Sequence, residues 1–288
     1  PGIPYPDVTV QTLLNHRSGI PNYVNYLEKS GWDKRQFATN QDVLNSLYQL
    51  RPRQEFRANT RFAYSNTNYL LLAMILEKVT GQTFHEYMEK NIFEPLGLSQ
   101  TKVFTLADTA NVIPSYQSNS RLWDWDFLDD TYGDKNLYTT PRDLFKWARV
   151  LVSGQFIRQS LLDSAFTPYS HERKSTHNYG LGFRLLMLSN GKKVIYHNGR
   201  WHGSNASFVI LPEEDVTVVI VGNRYNSSIY SIARKSYDLF GNYLKGGPDD
   251  DDNDNVTVKQ TKKKVSKKYV AKKSTRKSAA RKSVARGK

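Results

Sequence analysis

The chain of 288 residues contains no cysteine. That absence excludes disulfides, zinc–thiolate sites, iron–sulfur clusters and cysteine nucleophiles. It is silent on compartment, because exported bacterial proteins also do without cysteine. Long apolar runs are missing too. The longest, Tyr69 to Leu76, has eight residues and then meets Glu77, well short of the ~18 of a membrane span. Acidic residues are missing from positions 256–288, where Lys and Arg mix with Ser, Ala, Val and Thr and Tyr269 is the one aromatic. Such a stretch buries too little apolar surface to offset chain entropy, so disorder is expected. The chain opens Pro1-Gly2-Ile3-Pro4 and shows no signal peptide, so any targeting signal is expected upstream.

What is present divides sharply. The formal net charge is +14, which invites an anionic partner. Residues 249–288 carry +9 of it: Asp249–Asp252 and Asp254 come first, then 14 cations. The first 248 residues keep +5 and all five Trp. A folded domain is therefore expected over 1–246, with a disordered acidic-then-basic tail over 247–288. The Asp249–Asp254 block lacks the glycine and final glutamate of a calcium-binding EF-hand loop and reads as a solvated linker.

Periodicity places the elements. Thr9 caps a short helix carrying Leu13 and Leu14, stopped near Gly19-Ile20-Pro21. Val43, Leu44, Leu47 and Leu50 recur at helical spacing over 40–50. The clearest helix is predicted over 66–79, with Gly81 at its C-terminal cap. Thr83 and Glu86 form a capping-box pattern for the next. Residues 99–136 read as loop. Thr140-Pro141 opens a helix through Leu144, Trp147, Ala148 and Leu151 to Gly154. The period then changes to short β-type runs at 182–188, 193–198, 206–211 and 216–221, spaced for an antiparallel meander. The last run is almost wholly β-branched, which suits a central strand buried on both faces. A final amphipathic helix over 229–244 places Ile232, Ala233, Ser236, Leu239, Phe240 and Tyr243 on one side. Helices first, then meander and helix, give an α+β class with an antiparallel sheet flanked by helices and a mostly helical subdomain.

Four segments carry chemistry when taken together. They are Leu13-Leu14-Asn15-His16-Arg17-Ser18-Gly19-Ile20-Pro21, Tyr64-Ser65-Asn66, Thr139-Thr140-Pro141-Arg142-Asp143-Leu144 and His197-Asn198-Gly199. In this order and spacing they resemble the serine β-lactamase and DD-peptidase superfamily, class C branch, over roughly residues 1–244. The resemblance implies that family's fold and an acyl-enzyme serine hydrolase. It implies that Tyr64 relays protons, that Asn66 bonds substrate amide or acyl groups, and that His197 stands where many relatives have Lys. Asn198 and Gly199 would line the cleft, and the backbone N–H of Arg200 would donate to the oxyanion. No cofactor is called for.

The resemblance also exposes a gap. The family's Ser-x-x-Lys precedes the L-L-x-H-x-S-G segment. Here the pattern occurs as Ser99–Lys102, Ser189–Lys192 and Ser274–Lys277, all after Tyr64. None suits a nucleophile, so the pair is expected upstream of Pro1 and the chain alone is expected to be inactive. His16 and Ser18 read as braces of the cleft loop. His202 reads as a loop residue. His171 and His177 show no ligand spacing with a third group. Trp123, Trp125 and Tyr132 either reach substrate or pack their loop. Asn66 also suits an N-cap. Histidine at 197 would be partly charged near neutral pH.

The expected substrate is a small acyl compound: a cell-wall peptide, ester, D-amino-acid amide or β-lactam. The protein is expected to be exported. A polyanion tether, to an envelope polymer or lipid head groups, is the leading reading of the tail, with a solubilising segment that has no partner next. Specific nucleic-acid binding ranks last, since one aromatic cannot provide base stacking. The competing functional class is a non-catalytic binding module that keeps the fold.

Overall fold

The computed structural model describes residues 3–243. The tail and the Ser274–Lys277 pair lie outside them. The helical part comes first: α1 (Val10–Leu14), α2 (Tyr23–Lys29), α3 (Asn40–Leu50), α4 (Asn66–Thr80) and α5 (Phe84–Met88), the last running into a π-turn at Glu89–Phe93. Thr9, Thr39 and Thr83 each close a capping box, which satisfies orphan N–H groups at α1, α3 and α5. Gly81 ends α4 with φ +71°, as its position implied. Leu13, Ile20, Tyr23, Leu27, Val43, Leu47, Leu70 and Leu71 form the core between these helices.

Residues 99–136 are less irregular than the sequence suggested. Strand β1 (Lys102–Val103) pairs antiparallel with β2 (Leu137–Tyr138). A 3-10 turn spans Leu106–Asp108. Helix α6 (Pro141–Ser153) follows with Thr140 as its side-chain cap. The Asp143 carboxylate then accepts from Gln100 N–H (2.8 Å) and Thr101 Oγ1 (3.0 Å), tying the start of α6 to the start of β1. Helix α7 (Gln159–Ala165) was not visible as a periodic segment.

The meander is an antiparallel sheet in sequence order: β3 (His177–Tyr179), β4 (Arg184–Met187), β5 (Lys193–Trp201), β6 (Ser204–Leu211) and β7 (Val216–Gly222). Alternation sorts its side chains. Leu185, Ile195, Phe208 and Ile210 pack under α6 and α7. Leu186, Val194, Tyr196, Val209 and Leu211 pack under α8 (Ser228–Ser236) and Tyr243.

Two expectations need correction. Among the described residues the β-branched run at 216–221 lies at one edge of the sheet. Among the described residues β7 pairs only with β6, and its side chains are half-buried. Its uniform apolarity reflects helices on both faces rather than a central position. The terminal helix stops at Ser236 and passes into a 3-10 turn at Tyr237–Leu239. Its buried stripe is Ile229, Ala233 and Tyr237, at i, i+4 and i+8, while Ile232, Phe240 and Leu239 stay exposed, the last at 78%. The sheet covers Ala233 and Tyr237, and Tyr243 reaches the same core from beyond the helix end.

Candidate active site

Helix α1 is short because the chain turns sharply after it. His16 adopts φ +53°, a left-handed conformation rare outside glycine, and Gly19 follows at φ +71°. A Cβ on Gly19 would run into the Phe56 carbonyl, so glycine is required there. The turn buries His16, Arg17 and Ser18. Ser18 Oγ donates to Asn68 Oδ1 (2.6 Å), and Asn68 Nδ2 donates to His16 Nδ1 (3.0 Å). His16 and Ser18 thus brace the loop through a shared partner on α4, as expected.

Tyr64 enters the site on the extended segment just before α4. Ser65, not Asn66, is the N-cap residue of that helix, and its side chain makes no capping bond. Asn66 is the first helical residue, half-buried, and its amide has no hydrogen-bond partner among the described residues. That leaves it available to a ligand. The Tyr64 ring lies 4.0 Å from the His16 ring, 6.2 Å from His197 and 6.4 Å from Tyr179, centroid to centroid.

The His197 ring thus packs beside the Tyr64 ring, although 133 positions of sequence separate 64 from 197. Its Nδ1–H donates to the Asn198 carbonyl (2.8 Å), so Nε2 is the acceptor and receives the Tyr179 hydroxyl (3.1 Å). Burial, then the charge of Arg184, push its pKa down to about 4, against the opposing bond to Asn198. The expected partial charge is thus corrected: His197 is neutral at pH 7.

The cation of the site is one the motifs did not reveal. Arg184, at the start of β4, pairs with Tyr196 across the ladder. Its guanidinium carbon sits 5.3 Å from the Tyr64 ring centroid and 5.7 Å from that of Tyr179. Arg184 and Tyr179 are the two functional candidates that sequence reading missed. The available signal was weak: Tyr-x4-Arg ahead of a β-run, with no motif around it.

The sheet also supplies an edge. Strand β5 pairs with β4 only as far as Tyr196, whereas it pairs with β6 through Trp201. From His197 onward one edge of β5 faces no strand among the described residues, although the Asn198 and Gly199 carbonyls already accept from His197 Nδ1 and Tyr230. Asn198, Gly199 and Arg200 lie on this stretch. The Asn198 side chain is held by Ser207 Oγ (2.9 Å). Gly199 O accepts from Tyr230 (3.0 Å), and the Arg200 guanidinium rests over Tyr225 at 4.7 Å. Any role for Arg200 here rests on its N–H rather than its charge.

The long loop is packed down. Trp125 stacks on Phe104 at 5.2 Å, and Tyr132 stacks on Phe84 at 5.7 Å while donating to Glu77. Trp123 lies 5.7 Å from His202, whose Nε2 bonds the buried Asp129 (2.8 Å). His202 is thus more than a loop residue: with Trp201 it pins the β5–β6 turn to Asp129. His171 is exposed and contacts Pro168 O (3.0 Å), while Tyr196 OH and His177 Nδ1 lie 3.3 Å apart. Neither described Ser-x-x-Lys pair forms a site: Lys102 is paired with Asp108 and Lys192 with Glu214. Among the described residues no group of three or more His, Asp or Glu could hold a metal ion.

Comparison with known proteins bears on the family and the fold. The Beta-lactamase family model matches residues 2–238. Penicillin-binding protein 4* of Bacillus subtilis is 28% identical over 250 residues, covering 81% of this chain and 55% of that protein. A putative D-alanyl-D-alanine carboxypeptidase of Salmonella gallinarum is 23% identical, covering 75% and 57%. The chain thus spans about half the length of the curated relatives it matches. Among solved structures, a penicillin-binding protein from Bacillus halodurans superposes with TM-score 0.71 at 24% identity, covering 83% of this chain and 75% of that one. A D-amino acid amidase from Ochrobactrum anthropi superposes with TM-score 0.61 at 23% identity, covering 80% and 78%.

Proposed function

This chain belongs to the beta-lactamase family, and from that premise we propose that it carries the proton-handling and substrate-binding walls of an acyl-enzyme serine hydrolase of the class C β-lactamase/DD-peptidase type. The observation that supports this is convergence. The Tyr64 and His197 rings pack side by side, with centroids 6.2 Å apart, and the Arg184 charge stands against the Tyr64 ring.

Each group then has a task. Tyr64 moves the proton between the attacking hydroxyl and the leaving group. Asn66, whose amide has no partner among the described residues, bonds the acyl side of the substrate. The open edge of β5 holds an extended chain by backbone bonds, and the Arg200 N–H donates to the developing oxyanion. His197 is neutral and serves as a polar wall locked by Tyr179, not as a cation. Arg184 supplies the positive charge instead. It favours a substrate with a carboxylate near the scissile bond, such as a cell-wall peptide, a D-amino acid derivative or a β-lactam.

The attacking serine and its lysine are read as lying before Pro1. The protein is read as exported, in keeping with relatives named as penicillin-binding proteins and carboxypeptidases. No helix among the described residues is long and apolar enough to cross a membrane. The basic tail is read as a tether to anionic envelope polymers or lipid head groups. Labelling with a fluorescent penicillin and a fluorophosphonate tests the reading. The chain alone is expected to stay unlabelled, while the parent protein with an upstream Ser-x-x-Lys takes up one equivalent. Tyr64→Phe in the parent is expected to slow acylation about 100-fold. Stoichiometric labelling of a serine within residues 3–243 overturns the assignment.

A further inference from the structure

His16 is the buried titratable group that the proposed chemistry leaves unused. It is fully buried and sits at φ +53°, a conformation that costs a non-glycine residue about 1–2 kcal/mol. That strained backbone has a geometric result. The His16 carbonyl accepts from the Ala63 N–H (2.9 Å). The His16 Nδ1 accepts from the Ser65 N–H (3.3 Å). Between those two anchored residues stands Tyr64, whose ring lies over the imidazole at 4.0 Å. Three consecutive residues are thus gripped by one, through its carbonyl, its ring nitrogen and its ring face.

The grip is itself fixed. Asn68 Nδ2 donates to the same Nδ1, and Ser18 Oγ orients Asn68. With two donors aimed at Nδ1, the proton of the neutral ring sits on Nε2. That Nε2 is buried with no hydrogen-bond partner among the described residues, surrounded by the rings of Tyr64, Tyr69, Tyr179 and Phe62. Burial, followed by the charges of His197 and Arg184, holds the His16 pKa well below its usual value. The acceptor lone pair is therefore kept at neutral pH.

We propose that His16 is a positioning residue for Tyr64, a combined backbone and ring clamp that sets where the phenol stands at the cleft. Its meaning for catalysis rests on the reading of Tyr64 as the proton relay, but the clamp does not. A histidine that merely fills space would be replaceable by any ring of similar size. A clamp needs both the acceptor and the tolerance of positive φ. Asparagine offers these without the ring, and phenylalanine offers the ring without them.

The test uses the chain with 3-fluorotyrosine at position 64 alone, read by fluorine NMR, and a control with the label at buried Tyr243. The parent is expected to give one sharp line at 64. In His16→Asn that line stays single and moves, because the imidazole ring current is lost. In His16→Phe it broadens or splits, because the Ser65 N–H and the Asn68 amide lose their acceptor. The Tyr243 line stays in place in both. An unchanged 64 line in His16→Phe overturns the proposal, as does equal displacement at 243. If His16→Phe fails to fold, His16→Asn decides: a single displaced line supports the clamp and an unmoved or split line sinks it. The readout involves no acylation, so loss of the functional reading would leave it standing.

Discussion

The two walls of the cleft are built in opposite ways. The helical wall, which carries Tyr64 and Asn66, rests on buried polar bonds between residues far apart in sequence: Ser18 to Asn68, Asn68 to His16, His16 to Ser65. The sheet wall, which carries His197 to Arg200, rests on a regular ladder between β5 and β6, and its side chains are half-buried or exposed. A buried polar network is costly to leave half-satisfied, whereas a ladder survives the loss of any one exposed side chain. Damage should therefore be severe on the first wall and mild on the second.

Gly19→Ala should have the largest effect, at about 3–4 kcal/mol, since positive φ and a clash with the Phe56 carbonyl act together. Urea unfolding measures it, and a loss below that of a surface substitution would break the comparison. Acid comes next. His197 has its folded pKa depressed to about 4, from an ordinary 6.5, and His16 is depressed in the same direction. Both are neutral in either state above pH 6.5. Below it the unfolded chain takes up protons that the folded chain refuses, so stability is complete above pH 6.5 and falls towards pH 4. For His197, which is half-buried, the loss reaches at most about 3 kcal/mol, trimmed by solvent screening. Denaturant midpoints across that range give the slope, and a flat profile would sink the assignment of both as neutral.

Asn68→Ala should cost about 2 kcal/mol by orphaning the Ser18 hydroxyl and removing one donor to His16 Nδ1. The same unfolding assay applies, and a value as small as that of an exposed sheet residue would erase the contrast between the walls. Arg184→Gln probes the sheet wall's electrostatics. Removing its charge should raise the His197 pKa from about 4 part of the way to 6.5, because burial, the larger cause, remains. Imidazole resonances followed by NMR titration report it, and a downward movement would contradict the charge assignment. Arg200→Ala should be smallest, about 0.5 kcal/mol, as an exposed cation over the Tyr225 ring is all that is lost.

Much of this was legible in sequence. Thr9, Thr83 and Thr140 were read as caps and are caps, because a cap is decided by its own neighbours. Four runs read as strands are strands of the meander, since alternation and turn residues act locally. The fold family followed from the order of four motifs. Helices α2 and α7 are not legible because each spans only seven residues and, unlike α1 and α5, neither opens on a capping box. The β7 run misled because apolarity on both faces records helix cover, not rank in the sheet. Asn66 was read as a possible cap, but the helix begins one residue earlier than that role needs.

What the sequence by itself determined is the set of elements, their order and the residue types available for chemistry. These follow from short-range spacing, capping and turn preference. Only the tertiary structure decided which of those residues act on one another. Arg184 stands by Tyr64 because the start of β4 meets the segment that leads into α4. His197 is neutral because burial and that guanidinium surround it. His16 holds the segment carrying Tyr64 because a left-handed turn folds it under α4. Such facts depend on desolvation and on contacts between distant segments, and both arise only when the chain closes on itself.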